Sequence, residues 1–352
     1  MRRMSVNGGG VAVRQQIADE AGVWRRWVHE LRDPHLAHSQ EWAAVIHRAY
    51  GHEPLYLASD DGSGRAGVLP AFIVRRPLFG TAITSMPFLD GGGPCGASRE
   101  VEQRLVESLI TEARCLGARL VELRCSRRLN FPWEPAEHKV NLTLPLPNAE
   151  HLWRTLDGSV RNQVRKAERS GLSVDFGGAE KLDAFYSILA IRMRELGSPV
   201  HDRAFFRDIV REFGAQARVA LVRKGGTPIG ALLALGFRHT LTVPWSSCLS
   251  EHRTLCSNML LYWETIRTAC IEGFRRFDFG RSSRGSSTYR FKRQWGAVES
   301  PLFWYTIPIH GRVRPFSADE GRLATYLTNA WRHLPLTVTR GVGPRIRRYL
   351  IQ

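Results

Sequence analysis

The sequence predicts an α+β chain built as two tandem units, each a mixed sheet flanked by helices. Three observations carry this. A β-hairpin pattern occurs twice; each copy is followed by a third extended segment and a helix that stops at glycine; and each helix leads into a short strand containing one carboxylate. At 352 residues the chain is long enough for two cores.

In the first copy, residues 54–59 (PLYLAS) alternate as a strand, 60–64 are turn-rich, and 67–74 (GVLPAFIV) return. An extended segment follows at 82–88. A helix is expected at 100–116, with Val101, Leu105, Leu109 and Ala113 on one face and Gly117 as its stop. Residues 119–124 (RLVELR), with Glu122, form the closing strand. The second copy repeats the order: strands at 218–223 and 229–237 around a turn at 224–228, an extended 240–246, and a helix at 258–271. Its apolar positions are Met259, Tyr262 or Trp263, Ile266 and Cys270, Gly273 stops it, and 276–279 (RFDF) hold Asp278. From hairpin glycine to strand acid the spans are 122−67 = 55 and 278−230 = 48 residues.

Between the copies, 142–146 predicts a strand and 150–170 a basic helix stopped by Gly171. A short strand at 172–176 comes next, then amphipathic helices at 182–196 and 203–213 separated by Gly197–Ser198–Pro199. A last strand is expected at 302–309 and a helix at 318–332 capped by Ser317. The expected divisions are 1–145, 146–310 and a C-terminal helix with basic tail, 311–352.

Lys and Arg number 50 against 33 Asp and Glu, a formal charge of +17, and only five of the 50 are lysines. The excess is local: residues 154–169 hold five basic and two acidic residues, 281–293 five and none, and 321–352 six and none. Such clusters point to anionic partners. No apolar stretch is long enough to span a bilayer, and the N-terminus has no apolar segment of the secretory kind. Six scattered cysteines without a CxxC pair argue against zinc and against a disulfide framework, and they fit a reducing cytoplasm. HExxH, GxxxxGK[ST], GxSxG and GxGxxG are all absent.

The double pattern resembles two GNAT (acyl-CoA N-acyltransferase) units in one chain, the arrangement of FemAB/FemX-type transferases. Local strings carry the same resemblance: 79–93 (FGTAITSMPFLDGGG), 161–172 (RNQVRKAERSGL), 197–206 (GSPVHDRAFF), 245–263 (WSSCLSEHRTLCSNMLLYW) and 277–296 (FDFGRSSRGSSTYRFKRQWG). The chain is most similar to the FemAB-related, BioF2-like acetyltransferase protein associated with the PEP-CTERM/exosortase system. The resemblance implies transfer of an acyl or aminoacyl group to an amine of a cell-envelope or exopolysaccharide precursor, with acyl-CoA or aminoacyl-tRNA as co-substrate and no permanently bound cofactor. It implies a cytoplasmic location, with the inner face of the membrane as a possible peripheral site. The alternative is a catalytically idle double-GNAT protein that holds RNA or another polyanion on its basic face. One departure is the stretch 251–258 (EHRTLCSN), where acetyl-CoA-binding relatives carry the glycine-rich loop [RQ]xxGx[GA].

Residues 280–296 read as a serine- and glycine-rich basic loop carrying Arg281, Arg284, Arg290, Lys292 and Arg293, suited to a phosphate or an oxyanion. Tyr289, Phe291 and Trp295 are interleaved so that one face packs and the other meets ligand. The resemblance gives Lys292 the role of stabilising an oxyanion or phosphate. Asp278 is a candidate general base, or it holds Arg281 or Lys292 in place; the second role is favoured, because a carboxylate among cations is a poor base. On the basic helix Arg161, Arg165 and Arg169 fall at i, i+4 and i+8, a face for a tRNA stem or a diphosphate, or simply a solvated face. Trp245, Ser246 and Glu251 lie between third strand and helix, where a donor cleft would open: Trp245 as its wall, Ser246 as a donor to an acyl carbonyl. The Ser257/Asn258 helix start suits an anion. Trp263 is expected in the core and His201 in a helix-cap region, while Asp90 and Gly91–Gly93 are placed in an acceptor-lining loop. The tail at 340–351 is basic and apolar, a pattern that suits an acidic membrane surface.

Overall fold

The computed structural model describes residues 12–16, 21–60, 66–77, 79–310 and 318–350. The chain divides into two compact units: Met1–Lys139 with Pro301–Pro315 and Ile351–Gln352, and Val140–Ser300 with Phe316–Leu350. The expected turn at 60–64 and the Ser317 cap fall, but for Asp60, outside the described residues.

The first unit contains β1 (Ala12–Gln16), α1 (Ala21–Glu30), α2 (Glu41–Tyr50), β2 (Glu53–Asp60), β3 (Ala66–Arg76), β4 (Gly80–Thr84), β5 (Cys95–Gly96), α3 (Arg99–Cys115) and β6 (Leu120–Cys125). β1 to β4 run antiparallel in sequence, and β4 then pairs in parallel with β6 through Ala82↔Leu120, Ile83↔Val121 and Thr84↔Glu122. α3 covers one face of this sheet with Leu105, Leu109 and Ala113, packed on Leu55, Leu69, Ile83 and Val121. Ser98 accepts from Val101 N–H to start α3, and Gly117, at φ +62°, lets the chain leave it.

The second unit contains β7 (Ala136–Pro145), α4 (Ala149–Thr155), α5 (Gly158–Arg169), β8 (Leu172–Gly177), α6 (Leu182–Glu195), α7 (Arg203–Phe213), β9 (Ala217–Lys224), β10 (Thr227–Phe237), β11 (Thr240–Cys248), α8 (Ser257–Ile271), β12 (Arg276–Ser283) and α9 (Ser287–Arg293). Strand order here is β7-β12-β11-β10-β9-β8. β11 and β12 are parallel, paired through Thr240↔Arg276, Leu241↔Phe277 and Thr242↔Asp278. The core behind them joins Val164 of α5, Leu261 and Ile266 of α8, Leu232, Val243, Phe277 and Phe279.

Three expectations need correction. The single basic helix at 150–170 is two helices, because Leu156 is extended and Asp157 caps α5 by accepting from Ser159 N–H. The third extended segment of the first copy ends at Thr84. The loop at 280–296 is instead the end of β12, a turn, and α9 capped by Ser286. The last strand expected at 302–309 is β13 (Val298–Pro308), whose residues 303–308 pair with β6. Helix α10 (Ala318–His333) is followed by α11 (Leu336–Arg347), which the sequence did not suggest. Among the described residues no helix is long and apolar enough to cross a membrane.

Candidate active site in the second unit

The site begins where two parallel strands part. β11 and β12 share three pairs ending at Thr242↔Asp278, yet β11 runs on to Cys248 and β12 to Ser283. Pro244 supplies a local reason. It has no N–H to give a ladder, and opposite it β11 carries one extra residue against β10, the pairing stepping from Leu235↔Thr242 to Leu233↔Trp245. The bulge reverses side-chain parity. Leu241 and Val243 face the α8 core before it; Trp245 faces α7 after it, its ring 5.5 Å from Phe205 and 5.3 Å from Phe206.

β12 bends away at Gly280, whose φ of +72° an L side chain rarely adopts. A Cβ there would meet only the Val243 carbonyl of β11, at 3.8 Å, so there is room for it beside Gly280. Both proposed catalytic side chains converge on this peptide. Asp278, 3% exposed, accepts from Gly280 N–H through Oδ1 at 2.8 Å. Lys292, 8% exposed on α9, donates from Nζ to the Gly280 carbonyl at 3.0 Å and the Arg281 carbonyl at 2.8 Å. Its ammonium thus ties the Gly280 and Arg281 carbonyls to α9 and places a positive charge beside the bend.

The other cations of 281–293 are engaged close by. Arg284 Nε and the Tyr289 hydroxyl both donate to Glu299, Arg290 to the Gly285 carbonyl, and Arg293 to the Ala297 carbonyl. The Glu299 bond raises the Tyr289 hydroxyl above its ordinary range and lowers Glu299 below its own. The expected mobile basic loop is thus a hydrogen-bonded turn and helix. Trp295 is buried beneath it, its Nε1 without a partner among the described residues.

On the α8 side, Ser246 is hydrogen-bonded to Tyr262, whose hydroxyl burial pushes up to about 12. Ser257, 1% exposed, is hydrogen-bonded to Cys248, whose thiol burial pushes up to about 11. Asn258 follows in the first turn of α8, where backbone N–H groups collect. Where relatives use a glycine-rich loop, this chain has a 3₁₀ turn at Ser250–Leu255 and then Cys256 in the left-handed region at φ +56°. Glu251 sits on that turn, exposed, with His252 Nε2 3.4 Å away.

On the opposite side His201 is buried and stacked on Phe205 at 4.6 Å. Burial and the nearby Arg347 and Arg281 hold it well below the ordinary histidine range, hence neutral, and its Nε2 accepts from Arg347 Nε at 3.1 Å. The helix cap itself is Asp202. Arg161 and Arg165 lie elsewhere, on α5: the Arg165 guanidinium covers Trp153 at 5.7 Å, and Trp153 packs on Trp263 of α8 at 4.6 Å. Trp263 is in the core, as its spacing implies. The residues brought together are therefore Asp278, Gly280, Arg281 and Lys292, while on β11 Trp245 packs on α7 and Ser246 pairs with Tyr262 of α8. The sequence places Gly280 and Tyr262 only at the start of the basic loop and at a helix core position, and it does not single out Pro244; a proline inside an otherwise regular strand was the available signal for the bulge.

Residues 157–293, from the cap of α5 to the residue after Lys292, match the acetyltransferase (GNAT) domain family. The fold is that of a tandem GNAT protein. The structure is similar to FemX, with a TM-score of 0.65 at 13% identity over 90% of this chain and 99% of that one. It is similar to the C-terminal domain of a putative lysylphosphatidylglycerol synthetase from Agrobacterium fabrum, with a TM-score of 0.52 at 14% identity over 89% and 96%. It is also similar to a tandem GNAT protein from the clavulanic acid biosynthesis pathway, with a TM-score of 0.51 at 11% identity over 86% and 100%. No curated protein matches the sequence. The domain match and the double GNAT fold support acyltransferase activity. Among the described residues no group of side chains is arranged to hold a metal ion.

Proposed function

We propose that the chain transfers an acyl or aminoacyl group from an activated donor, acyl-CoA or aminoacyl-tRNA, to an amine of a cell-envelope or exopolysaccharide precursor. The observation that carries this is the parting of β11 and β12 after Thr242↔Asp278, with a glycine peptide and a buried lysine on one lip. An extended acyl carrier can lie against the unpaired edge of β11, its carbonyl beside Gly280, and its phosphates at the start of α8. The acceptor nitrogen attacks that carbonyl carbon, a C–N bond forms, and the C–S or C–O bond to the carrier breaks. The proton lost by the amine goes to the leaving thiolate or alkoxide.

Lys292 contributes positive potential where the tetrahedral oxyanion forms. Asp278 acts chiefly by accepting from the Gly280 N–H and so holding the bend, in place of the hold on Arg281 or Lys292 expected from sequence. Trp245 walls the acceptor side with Phe205 and Phe206, and Arg281 belongs to that side through its field at His201. Ser246 and Asn258 serve the donor side; Tyr289, Arg290 and Trp295 hold α9, and through it Lys292, in place. Glu251 is exposed to a ligand at the same helix start. Arg161 and Arg165 would meet the more distant phosphates of a long donor such as tRNA. An envelope-linked acceptor is suggested by the synthetase named above, and a gene neighbourhood of exopolysaccharide or exosortase functions would agree with it.

Titration calorimetry against acetyl-CoA, longer acyl-CoAs and aminoacyl-tRNA tests the proposal: one of these binds, and Lys292→Met weakens turnover far more than binding. If none binds the protein, the transferase proposal fails. Retention of tRNA alone, uncharged as tightly as charged, would favour the idle polyanion-binding alternative, for which the exposed Arg165, Lys166 and Arg169 on α5 are the specific support.

A further inference from the structure

We propose that helix α11 is an interfacial anchor that lies on the surface of an anionic lipid bilayer. Its rotation is fixed by what it turns inward. Gly343 is buried against the 197–201 segment, where a Cβ would stand 3.2 Å from the Val200 nitrogen. Thr339 is 2% exposed, Arg347 Nε donates to His201 Nε2 at 3.1 Å, and the Arg340 guanidinium sits 5.3 Å above the Tyr186 ring. At about 100° per residue these four positions share one side of the helix. The other side carries Val338, Val342 and Ile346, at i, i+4 and i+8, exposed by 40%, 40% and 37%, with Arg345 exposed among them.

An ordinary surface helix buries its aliphatic stripe, whereas α11 leaves Val338, Val342 and Ile346 uncovered alongside the exposed Arg340 and Arg345. α7 of the same unit follows the ordinary rule, burying Phe205, Phe206 and Ile209. The apolar exposure continues at Leu350, past the end of α11, and on α10 at Tyr326 (70%) and Leu327 (58%). α10 is likewise held by a glycine: a Cβ on Gly197 would collide with Thr328 Cγ2 at 2.4 Å.

Charge selects the occupant. From the start of α11 onward, residues 336–352 hold four arginines and no Asp or Glu. A second copy docked through the same face would set arginine against arginine with no acid to answer it. RNA would gain phosphate contacts from Arg345 but nothing from three aliphatic side chains between the cations. An anionic bilayer answers both: valine and isoleucine enter the headgroup–acyl boundary, and the arginines stay at the lipid phosphates. The proposal does not rest on acyl transfer, since binding to vesicles is measured without donor or acceptor.

The test is co-sedimentation of the full chain with vesicles of phosphatidylcholine alone or with about 30% phosphatidylglycerol, enough to give a strongly negative surface. The chain is expected to pellet with the anionic vesicles and stay in the supernatant with neutral ones. Replacing Val338, Val342 and Ile346 together by serine, and separately Arg345→Glu, should each weaken partitioning roughly tenfold or more, with the thermal melt and transfer to a soluble acceptor unchanged. Failure of the wild-type chain to pellet overturns the proposal. So does a triple variant that binds as the wild type and is released by salt or by competing RNA, which would mark plain polyanion adhesion. A wild-type dimer in light scattering that the triple variant dissolves, with no vesicle binding, would assign the face to a second copy.

Discussion

Replacing Lys292 by methionine keeps an unbranched side chain, one atom shorter, and removes its charge and its three donors. The wild-type ammonium is buried and gives charge-assisted hydrogen bonds to the carbonyls of Gly280 and Arg281 at 3.0 and 2.8 Å. Each such bond contributes about 1.5–3 kcal/mol, and its loss leaves a carbonyl unpaired at the bend of β12. Against this, methionine avoids the desolvation of a buried ammonium, which offsets part of the loss. The net expectation is a destabilisation of about 2–4 kcal/mol, a fall in melting temperature of about 5–12 °C for a unit of this size. If the same lysine faces the oxyanion, turnover measured well below the melt should drop about 10²- to 10³-fold while donor affinity changes little. Differential scanning fluorimetry reads the first number, and single-turnover release of the carrier thiol or tRNA reads the second. A variant melting within about 1 °C of the wild type would refute the account of the β12 bend. A stable fall in the melt with full turnover would leave Lys292 structural and remove it from the chemistry.

Gly280→Ala should cost about 1–2 kcal/mol from backbone strain alone, since φ is +72° and the nearest atom to a new Cβ is 3.8 Å away; urea titration checks it, and an unchanged midpoint would contradict the left-handed bend. His38 is buried with its pKa lowered to about 4 against an ordinary 6.5. The unfolded chain therefore takes up this proton first as pH falls, so stability is full above pH 6.5 and declines by about 3 kcal/mol on the way to pH 4. In a His38→Asn variant that part of the slope, measured by denaturant titration across the window, should disappear. Removing Arg165 and Arg169 together should reduce the salt slope of tRNA binding by between one and two units without altering the melt; an unchanged slope would take α5 out of the donor path.

Much of this site follows from strand alternation and much does not. Glu122 and Asp278 were recognisable as equivalent from order alone, and each stands in the third parallel pair of its unit opposite a threonine, Thr84 and Thr242. Period-two patterning gives such a position because a strand has little freedom beyond register. The bend at Gly280 was hidden, since a glycine after FDF reads equally well as the end of the strand. The break at Leu156–Asp157 was hidden because the flanking residues continue a helical pattern and only the Asp157 carboxylate, accepting from Ser159 N–H, ends it. Helix α11 was hidden by its own composition: Gly341, Gly343 and Pro344 argue against a helix, yet Gly343 is there for close approach to Val200, a tertiary requirement that propensity cannot express.

The duplication also supports placing the proposed site in the second unit. Both units hold a buried histidine, His38 ahead of α2 and His201 ahead of α7, and in both an aromatic donor on the preceding helix, α1 or α6, reaches that histidine's carbonyl: Trp24 Nε1 to His38 O at 2.7 Å, and the Tyr186 hydroxyl to His201 O at 3.1 Å. The scaffolds are alike, and so is the three-pair junction of parallel strands. They differ immediately after it. In the first unit β4 stops at Thr84, whose hydroxyl donates to Glu122 at 2.8 Å, and Ser85 N–H adds one more rung to the Glu122 carbonyl. The chain then folds inward through Met86 and Phe88, both buried and both at positive φ, while Arg124 reaches the Leu89 carbonyl. Gly93 lies so close to Cys125 that a Cβ would approach Sγ to 2.5 Å. The space that an acyl carrier would need is filled by the chain itself. In the second unit Pro244 turns β11 outward and Gly280 turns β12 away, and the same junction is left open with Lys292 at its edge. Filling that opening should therefore convert the second unit toward the first. Gly280→Leu, beyond the strain common to any side chain there, is expected to abolish donor binding rather than only turnover, with donor calorimetry as the measure. Binding retained at wild-type strength would place the donor somewhere other than between β11 and β12.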